Sequence, residues 1–321
     1  MFYAIRHVTR FRYSAPVRES VMELRMQPRS EGPQTLRSFQ IVTNPRAQLY
    51  AYTDHVGNAV YHFNVLREHA ELRIEVTASV EMQPFEPPLL PADALEWQRF
   101  NPLNLTDEHY DLLQPSQFAR LGSALDAFLA AQDLAKPQTD PLTALRRVSK
   151  TIFDSFEYEV GVTEVHSPIE HALAERRGVC QDFAHIMIAA ARGWGIPSRY
   201  VSGYLFHRKE DRDRSAADAT HAWVECYLPS FGWVGFDPTN DLMTSDRHIR
   251  VAVGRDYADV PPTRGTYKGG AESELAIAVT VEPAQAPTRH EEFLRVARPM
   301  KVREDKMVSP EHQYHQQQQQ Q

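Results

Sequence analysis

Apolar and polar residues alternate through the first part of the chain. Between residues 71 and 80, leucine, isoleucine, valine and alanine occupy every second position, with charged or hydroxyl side chains between them. A period of two is typical of a strand that buries one face and exposes the other. Further short runs of this kind flank Gly57-Asn58, which predicts a two-residue hairpin turn. The pattern favours an antiparallel β-sandwich over residues 1–83.

Proline interrupts this pattern. Four prolines, at positions 84, 87, 88 and 91, fall close together, and because neither helix nor sheet tolerates them, residues 84–100 are predicted to be an extended linker. Beyond it, apolar residues recur with helical spacing over 116–134 and again after Asp140-Pro141, a typical helix start. We expect a second domain over residues 101–285. Residues 286–321 are polar and end in a run of glutamines, which predicts a disordered tail.

One apolar helix follows a glycine-broken turn. A short helix over residues 168–176 is predicted to end at Gly178. The next helix begins at Cys180 or Gln181 and is apolar nearly all round as far as Gly193, which indicates a buried helix at the centre of its domain. Cys180 is therefore expected at the N-terminus of a buried helix.

Two strands after this helix are predicted to form a hairpin. Residues 220–228 and 231–238 alternate apolar and polar positions on either side of a proline-serine corner. If His221 lies opposite Asp237, the loop has three residues and both side chains lie on one face of the sheet. A carboxylate in that place would orient the imidazole ring and stabilise its charged form. The charged loop 208–218, which precedes the hairpin, is expected to lie outside the core.

Together these residues suit a thiol nucleophile. The thiolate is the reactive form of cysteine, and both a helix N-terminus and a neighbouring imidazolium favour the thiolate of Cys180. The free backbone N–H groups of the same helical turn, including that of Cys180, are suited to hold an oxyanion. We therefore interpret Cys180, His221 and Asp237 as a catalytic set.

Each of the three residues also has a structural explanation. A lone cysteine is more often a small buried residue than a nucleophile. A histidine in an aromatic strand often packs in the core, and an aspartate before proline often forms a turn. The joint occurrence of all three favours the chemical interpretation. Cys226, the other cysteine of the chain, points away from His221 and is expected in the core.

Zinc binding is the other chemistry that cysteine and histidine provide. Cys180 and His185 are five residues apart, as are His221 and Cys226. Residues five apart diverge on a helix and point to opposite faces of a strand, and neither spacing matches the usual paired zinc ligands. We predict no metal site and no cofactor.

Composition narrows the class of protein. The net charge of −7 and the scattered lysines and arginines offer no basic surface for nucleic acid. Two cysteines are too few for a disulfide framework. The first residues lack the apolar core of a signal peptide, and no apolar run approaches membrane-spanning length. We expect a cytoplasmic protein that binds neither nucleic acid nor membrane, and the sequence leaves its oligomeric state open.

Three stretches resemble a known family. R-R-G-V-C-Q-D-F-A-H at 176–185, T-H-A-W-V-E-C-Y-L-P at 220–229 and F-G-W-V-G-F-D-P-T-N at 231–240 resemble the core of the transglutaminase-like superfamily, in its bacterial branch. The N-terminal sheet region looks like the domain that accompanies this core in bacterial proteins. The segment V-G-R-D-Y-A-D-V-P-P-T-R-G at 253–265 is similar to the segment that follows the core.

This resemblance implies an α+β fold in which a papain-like core, with helices packed on an antiparallel sheet, forms the catalytic domain over residues 101–285. It also implies Cys180 as nucleophile, His221 as general acid and base, and Asp237 as the residue that orients the histidine. Candidate contributors to oxyanion stabilisation or substrate binding are Tyr158, Gln181 and Trp223. The calcium sites of the animal enzymes have no evident counterpart in this sequence.

The expected function is that of a cysteine-dependent acyl-transfer enzyme, which acts on carboxamide or peptide bonds of a protein or peptide substrate. Cys180 would attack a glutamine carboxamide or a peptide bond and form a thioester, which an amine or water then resolves. Resolution by an amine is transglutaminase activity, and resolution by water is amidase or protease activity; the sequence leaves both open. A non-catalytic peptide-binding protein is the third alternative, and the intact cysteine, histidine and aspartate disfavour it.

Overall fold

The computed structural model describes residues 1–88, 91–93, 95–100, 107–163, 166–208 and 210–286. Met1–Gln285 forms one compact unit. The predicted tail over 286–321 lies outside the described residues, apart from Ala286. Within the described part of the chain, no helix is both long and apolar enough to cross a membrane.

The described residues form two main antiparallel sheets and a small parallel pair. Their strands are β1 (Phe2–Leu24), β2 (Gln34–Asn44), β3 (Tyr50–Thr53), β4 (Ala59–Val65), β5 (His69–Met82), β6 (Glu157–Tyr158), β7 (Arg177–Gly178), β8 (Ser198–Leu205), β9 (His221–Leu228), β10 (Gly232–Asp237), β11 (Leu242–Met243), β12 (His248–Gly254), β13 (Thr263–Lys268) and β14 (Ser273–Ala284).

The α-helices of the described residues lie between β5 and β8, and one short 3-10 helix, Tyr257–Asp259, follows β12. The α-helices are α1 (Glu96–Arg99), α2 (Asp107–Asp111), α3 (Ser123–Ala131), α4 (Pro141–Ser155), α5 (Ile169–Glu175) and α6 (Cys180–Gly193). The short helix α1 lies inside the stretch predicted to be an extended linker. The Glu96 carboxylate is buried there and accepts hydrogen bonds from the backbone and hydroxyl of Ser230.

The long strand β1 joins two groups of strands in the N-terminal sheet. Its first half lies between β5 and β14, and its last residues lie between β4 and β13. Alternating apolar residues from both groups meet in one buried cluster, as the period of two predicts. The cluster contains Tyr13, Val17, Met22, Leu24, Met26, Phe63, Val65, Leu72, Ile74 and Val76.

Strands from the far end of the chain complete this sheet. β13 and β14 lie in the sequence predicted to belong to the domain 101–285, yet both pair with β1. The alternation of apolar residues in a strand does not reveal its partner, and the strand pairing therefore does not follow the predicted division of the chain. The division into domains stays a prediction.

The predicted two-residue turn at Gly57-Asn58 is wrong. β3 ends at Thr53 and β4 begins at Ala59, so the loop has five residues. Asp54 organises it, because its Oδ1 accepts from the Asn58 N–H at 2.8 Å, and Gly57 adopts a left-handed φ of 83°. The buried Asn58 side chain also bonds the backbone of Val253 on β12 at 2.8 and 2.9 Å, so this loop docks on the second sheet.

The second sheet carries the helices on one face. Its strand order is β11-β10-β9-β8-β12, and α6 packs against β8 and β9 while α3, α4 and α5 pack against α6. The predicted central helix is confirmed, since Phe183, Ile186 and Met187 in α6 are fully buried. The molecule is a sheet-rich mixture of strands and helices.

Of the other helices, α4 begins as predicted, whereas the start of α3 and the end of α5 differ from the prediction. The helix predicted over 116–134 begins only at Ser123, after the extended Gly122. α4 begins at Pro141 as predicted, with Asp140 accepting a hydrogen bond from the Thr143 N–H at 3.1 Å. α5 ends at the left-handed Arg176, so Gly178 does not terminate it and lies in β7.

The hairpin of β9 and β10 exists, but its predicted register is wrong by two residues. Gly232 pairs with Leu228, which leaves residues 229–231 as the loop. Gly232, directly after this loop, has a φ of 73°, and a left-handed residue of this kind follows the turn in three-residue hairpins. A shift of two residues preserves the face of every side chain, so His221 and Asp237 still lie on one face, diagonally placed.

Candidate active site

Cys180 is the first residue of α6, and its side chain is half-buried. The Asp182 carboxylate closes the first helical turn, because its Oδ2 accepts from the Val179 N–H at 2.9 Å and from the Thr163 hydroxyl at 2.6 Å. The first N–H groups of a helix have no partner within the helix. Cys180 therefore lies at an electropositive helix end, as predicted.

Gly178 allows this closure of the helix start. A Cβ atom at that position would lie 2.7 Å from Oδ2 of Asp182 and 3.1 Å from its Cβ. Carbon and oxygen atoms that are not bonded to each other do not approach that closely without strain. Gly178, two residues before Cys180, thus leaves room for the close approach of the Asp182 carboxylate.

His221 and Asp237 are brought together by the face that they share on β9 and β10. Nε2 of His221 lies 2.8 Å from Oδ2 of Asp237, and the two residues are 2% and 0% exposed. A carboxylate accepts only, so Nε2 carries the proton and donates it. The same carboxylate accepts from the Thr239 N–H at 3.1 Å and from the Asn240 amide at 2.8 Å.

Burial and charge act in opposite directions on this pair. Burial lowers the pKa of His221, but the charge and hydrogen bond of Asp237, together with the Cys180 thiol, raise that pKa to about 10. Burial raises the pKa of Asp237, but the positive charge of His221 and hydrogen bonds from His221 and His248 hold it well below its usual range. The favoured state near neutral pH is an aspartate–imidazolium ion pair.

Nδ1 of His221 is the ring nitrogen that remains for Cys180. It is buried and has no hydrogen-bond partner of ordinary geometry among the described residues. Nε2 is already engaged with Asp237, and the Cys180 thiol is near enough to raise the pKa of the ring. His221 thus lies between Asp237 and Cys180, as the sequence predicts. The catalytic roles of the three residues stay a proposal.

His248 is a second imidazole on the same carboxylate. Its Nε2 lies 3.3 Å from Oδ2 of Asp237, and its Nδ1 accepts from the Ser245 N–H at 3.2 Å. Burial lowers the pKa of His248, with the bond to Asp237 opposing. The ring is therefore neutral, with its proton on Nε2. The sequence analysis missed His248, because nothing in its local sequence links β12 to Asp237.

His221, Asp237 and His248 are residue types that bind metals, but the proton on Nε2 of His248 does not suit a metal ligand. Ligand atoms of His221, Asp237 and His248 lie within 4.8 Å of one another. A metal-bound imidazole needs a lone pair on the ligating nitrogen. The Ser245 N–H fixes the lone pair of His248 on Nδ1, so Nε2 presents a proton. The geometry fits a hydrogen-bonded group around one carboxylate.

The charged loop before β9 lies largely outside the core, as expected, and polar contacts tie it to the site. Oδ1 of Asn240 accepts from the N–H groups of Arg214 and Ser215 at 2.7 and 3.3 Å. The amide of Asn240 donates to Asp237. One side chain thus fixes both the loop and the carboxylate. The contacts that anchor this loop are polar, so the pattern of apolar residues does not predict them.

Tyr158 lies beside Cys180 because β6 pairs with β7. Tyr158 is opposite Gly178 in that pair. Burial and the neighbouring Cys180 raise the pKa of Tyr158 to about 12, with the Ala216 N–H donating to its hydroxyl and acting in the opposite direction. The phenol therefore stays protonated near neutral pH, and its own O–H remains available as a donor.

The other two candidate residues have different surroundings. Gln181 is half-buried in the first turn of α6, directly after Cys180. Trp223 is fully buried against Val201 and Val253, with its ring centroid 6.0 Å from that of His221. A fully buried indole has no surface for a substrate, so Trp223 packs beside the histidine ring without contacting substrate.

Cys226 is in the core, as expected. It is fully buried, lies 3.3 Å from the Ser198 hydroxyl that donates to it, and has its pKa raised to about 12 by burial. It takes no part in the group around Asp237.

Comparison with known proteins identifies the family of the chain. The model of the transglutaminase-like superfamily matches residues 130–238, and that of the bacterial transglutaminase-like N-terminal region matches residues 3–81. The uncharacterized protein ML0607 of Mycobacterium leprae is 34% identical over 277 residues, which cover 86% of this chain and 96% of that protein. The chain belongs to the transglutaminase-like superfamily.

Two further relatives bear on the fold and the chemistry. A protein-glutamine gamma-glutamyltransferase of Pseudomonas aeruginosa is 26% identical over 152 residues, or 42% of this chain and 21% of that protein. A solved structure from Cytophaga hutchinsonii, described as a candidate cysteine protease, covers 89% of this chain and 92% of its own, with a TM-score of 0.67 and 20% identity. That likeness concerns the fold.

Proposed function

We propose that this protein is a cysteine-dependent acyltransferase that acts on glutamine carboxamides of a protein substrate. One observation carries the proposal: Asp237 holds Nε2 of His221 at 2.8 Å, which leaves the buried Nδ1 for the neighbouring Cys180 thiol. An imidazolium fixed in this way favours the thiolate of Cys180. A thiolate at a helix N-terminus is a nucleophile.

In the first half of the reaction, the thiolate of Cys180 attacks the carbonyl carbon of the carboxamide. The C=O electron pair moves to oxygen and forms a tetrahedral oxyanion. When that intermediate collapses, His221 gives its Nδ1 proton to the departing nitrogen, and ammonia leaves. A thioester on Cys180 and a neutral His221 remain.

The oxyanion needs donors beside Cys180. The backbone N–H of Cys180 is at the free end of α6. The Tyr158 hydroxyl is the second donor that we propose, because its high pKa keeps it protonated and the Ala216 N–H occupies a lone pair rather than its proton. Donors fixed before the reaction stabilise the developing charge without reorganisation.

In the second half, a primary amine attacks the thioester. Neutral His221 accepts the proton that the amine loses, and the Cys180 thiolate departs as the second tetrahedral intermediate collapses. The imidazolium–thiolate pair is thereby restored. The product is a substituted amide, and no external oxidant or cofactor enters the balance.

Hydrolysis is the competing outcome at the same residues. Water in place of the amine would give a carboxylic acid, and attack on a peptide bond instead of a side-chain amide would give proteolysis. The similarity to the Pseudomonas aeruginosa glutamyltransferase supports the carboxamide and the amine as our choice.

Mass spectrometry of a glutaminyl peptide, incubated with and without a primary amine, tests the proposal. We expect an amine adduct that forms with loss of ammonia, and deamidation only when the amine is absent. Cys226→Ser should retain this activity, whereas Cys180→Ala should lose it. Peptide cleavage, or a carboxylic acid as the main product with amine present, would contradict the transferase assignment.

A further inference from the structure

β14 forms an open edge of the N-terminal sheet. Among the described residues it pairs with β1 alone. Every residue from 273 to 278 is exposed, and the apolar side chains of Leu275 and Ile277 are 51% and 45% exposed. Proteins usually protect such edges with charges, proline or a bulge. β14 carries Glu274 near one end and Glu282 and Pro283 near the other, and the residues between them, 275–281, are uncharged and contain no proline. The middle of this edge is therefore exposed and has none of the usual protecting residues.

The backbone of this edge points outward at alternate residues. The Val279 N–H donates to the carbonyl of Asp218 at 2.9 Å, so it faces away from β1. In an antiparallel pair, residues that face away alternate with residues that bond the partner strand. Leu275 and Ile277 share the orientation of Val279 because each lies an even number of residues from it. Their N–H and C=O groups are directed to the open side.

One end of the open edge contacts the segment that precedes His221. Asp218, which bonds Val279, is three residues before His221. Three residues of extended chain span at most about 11 Å. A strand added along Leu275 and Ile277 would therefore end close to the segment that carries the catalytic histidine.

We propose that this edge binds an extended, uncharged segment of the protein substrate as an added β-strand. The inference rests on the proposed function and names the substrate class: proteins with an unfolded or extended stretch next to the reactive glutamine. Backbone hydrogen bonds to Leu275 and Ile277 would supply binding, and apolar side chains of the substrate would pack on the same two residues.

A second copy of the chain fits the edge less well. Asp218 already occupies the outward N–H of Val279, so only residues 273–278 are open, a length of about 20 Å. A contact between two such edges is far smaller than the roughly 1,200 Å² that stable interfaces bury. A substrate that must leave after each turnover needs only transient binding.

Ile277→Pro tests the proposal, because proline removes the outward N–H and leaves the hydrogen bonds to β1 in place. Turnover is measured on carboxymethylated casein, an unfolded protein, and on benzyloxycarbonyl-glutaminylglycine, a small probe that reaches only Cys180. We expect kcat/KM for casein to fall about tenfold, mainly through KM, with the small probe unchanged. Ile277→Thr, which keeps the N–H, should have a smaller effect.

The two probes separate the possible failures. An equal loss on both probes would mean that the strand is structural, and no loss on either would mean that substrate does not bind there; each result overturns the inference but not the proposed function. If sedimentation shows a wild-type dimer that Ile277→Pro dissociates, a second copy is the partner and the inference is wrong. If neither probe reacts with the wild-type protein, the proposed function fails first.

Discussion

Nε2 of His221 donates to Oδ2 of Asp237 across 2.8 Å, in a site where neither side chain reaches solvent. A second imidazole, that of His248, bonds the same oxygen at 3.3 Å. The carboxylate therefore fixes two rings in different charge states. His221 is held as the imidazolium beside Cys180, and His248 is held neutral.

Replacement of the carboxylate should remove this ion pair. In Asp237→Asn, the amide cannot stabilise the imidazolium, so burial would lower the pKa of His221. We expect kcat/KM to fall roughly 100-fold or more. The alkaline limb of the pH–rate profile should also move to lower pH, because His221 loses its proton earlier. A full pH profile of both proteins measures this, and an unshifted limb would contradict the assigned role of Asp237.

His248 should act through Asp237. In His248→Ala the carboxylate loses one donor, and we expect about a tenfold loss of kcat/KM together with a loss of stability of about 1–3 kcal/mol. His248→Gln can still donate from its amide and should recover part of the activity. Steady-state kinetics and chemical denaturation measure the two effects. Equal activity in the alanine and glutamine variants would show that the hydrogen bond to Asp237 does not matter.

Gly178→Ala should disturb the helix start that carries Cys180. The new Cβ would meet Oδ2 of Asp182 at 2.7 Å, so the carboxylate must leave the Val179 N–H. We expect a loss of about 1–2 kcal/mol in the free energy of unfolding and slower alkylation of Cys180. Gly270→Ala is the matched control, since a Cβ there meets nothing within 4 Å. An unchanged Gly178→Ala protein would rule out the close approach.

Stability should decline in acid because histidines are buried in the neutral state. His7 bonds Tyr204 at 3.0 Å and Thr9 at 3.2 Å, and burial lowers its pKa to about 4. Between about pH 6.5 and 4 the unfolded chain binds a proton that the folded chain does not. The contribution of His7 to stability is therefore full above pH 6.5 and falls as the pH drops through this window, by about 1.4 kcal/mol per pH unit.

His7→Gln removes this contribution and should make the acid decline shallower by one proton. Tyr204→Phe is the control, because it removes the hydrogen bond but keeps the titrating ring. That variant should be less stable at every pH with an unchanged slope. Denaturation measured from pH 4 to 8 distinguishes the two variants, and the same slope in His7→Gln as in the wild type would refute the assignment.

The sequence predicts the residues of the site better than their geometry. Cys180 at a helix start and His221 with Asp237 on one face follow from local pattern, since helix ends and the period of a strand are local properties. The hairpin register was predicted wrongly because it depends on the left-handed Gly232, which the pairing argument did not use. A shift of two residues preserves the face of every side chain, so His221 and Asp237 remain on one face in either register.

Long-range contacts are the part that the sequence does not predict. His248 reaches Asp237 from the far edge strand β12, and β14 returns to pair with β1 across the whole length of the chain. Neither relation has a local pattern. Asn240 is intermediate, because it lies three residues after Asp237 and its short spacing alone could have suggested a contact.

Alkylation tests most directly whether Cys180 is an activated nucleophile. Cys226 serves as a control within the same molecule because it is fully buried. Iodoacetamide labelling near pH 7, followed by peptide mass spectrometry, gives the rate at each cysteine in the wild-type protein and in His221→Ala. We expect Cys180 to react faster than a model thiol, His221→Ala to slow that reaction at least tenfold, and Cys226 to stay unlabelled. A rate at Cys180 equal to that of the model thiol, unchanged by His221→Ala, would show that Cys180 is not an activated nucleophile.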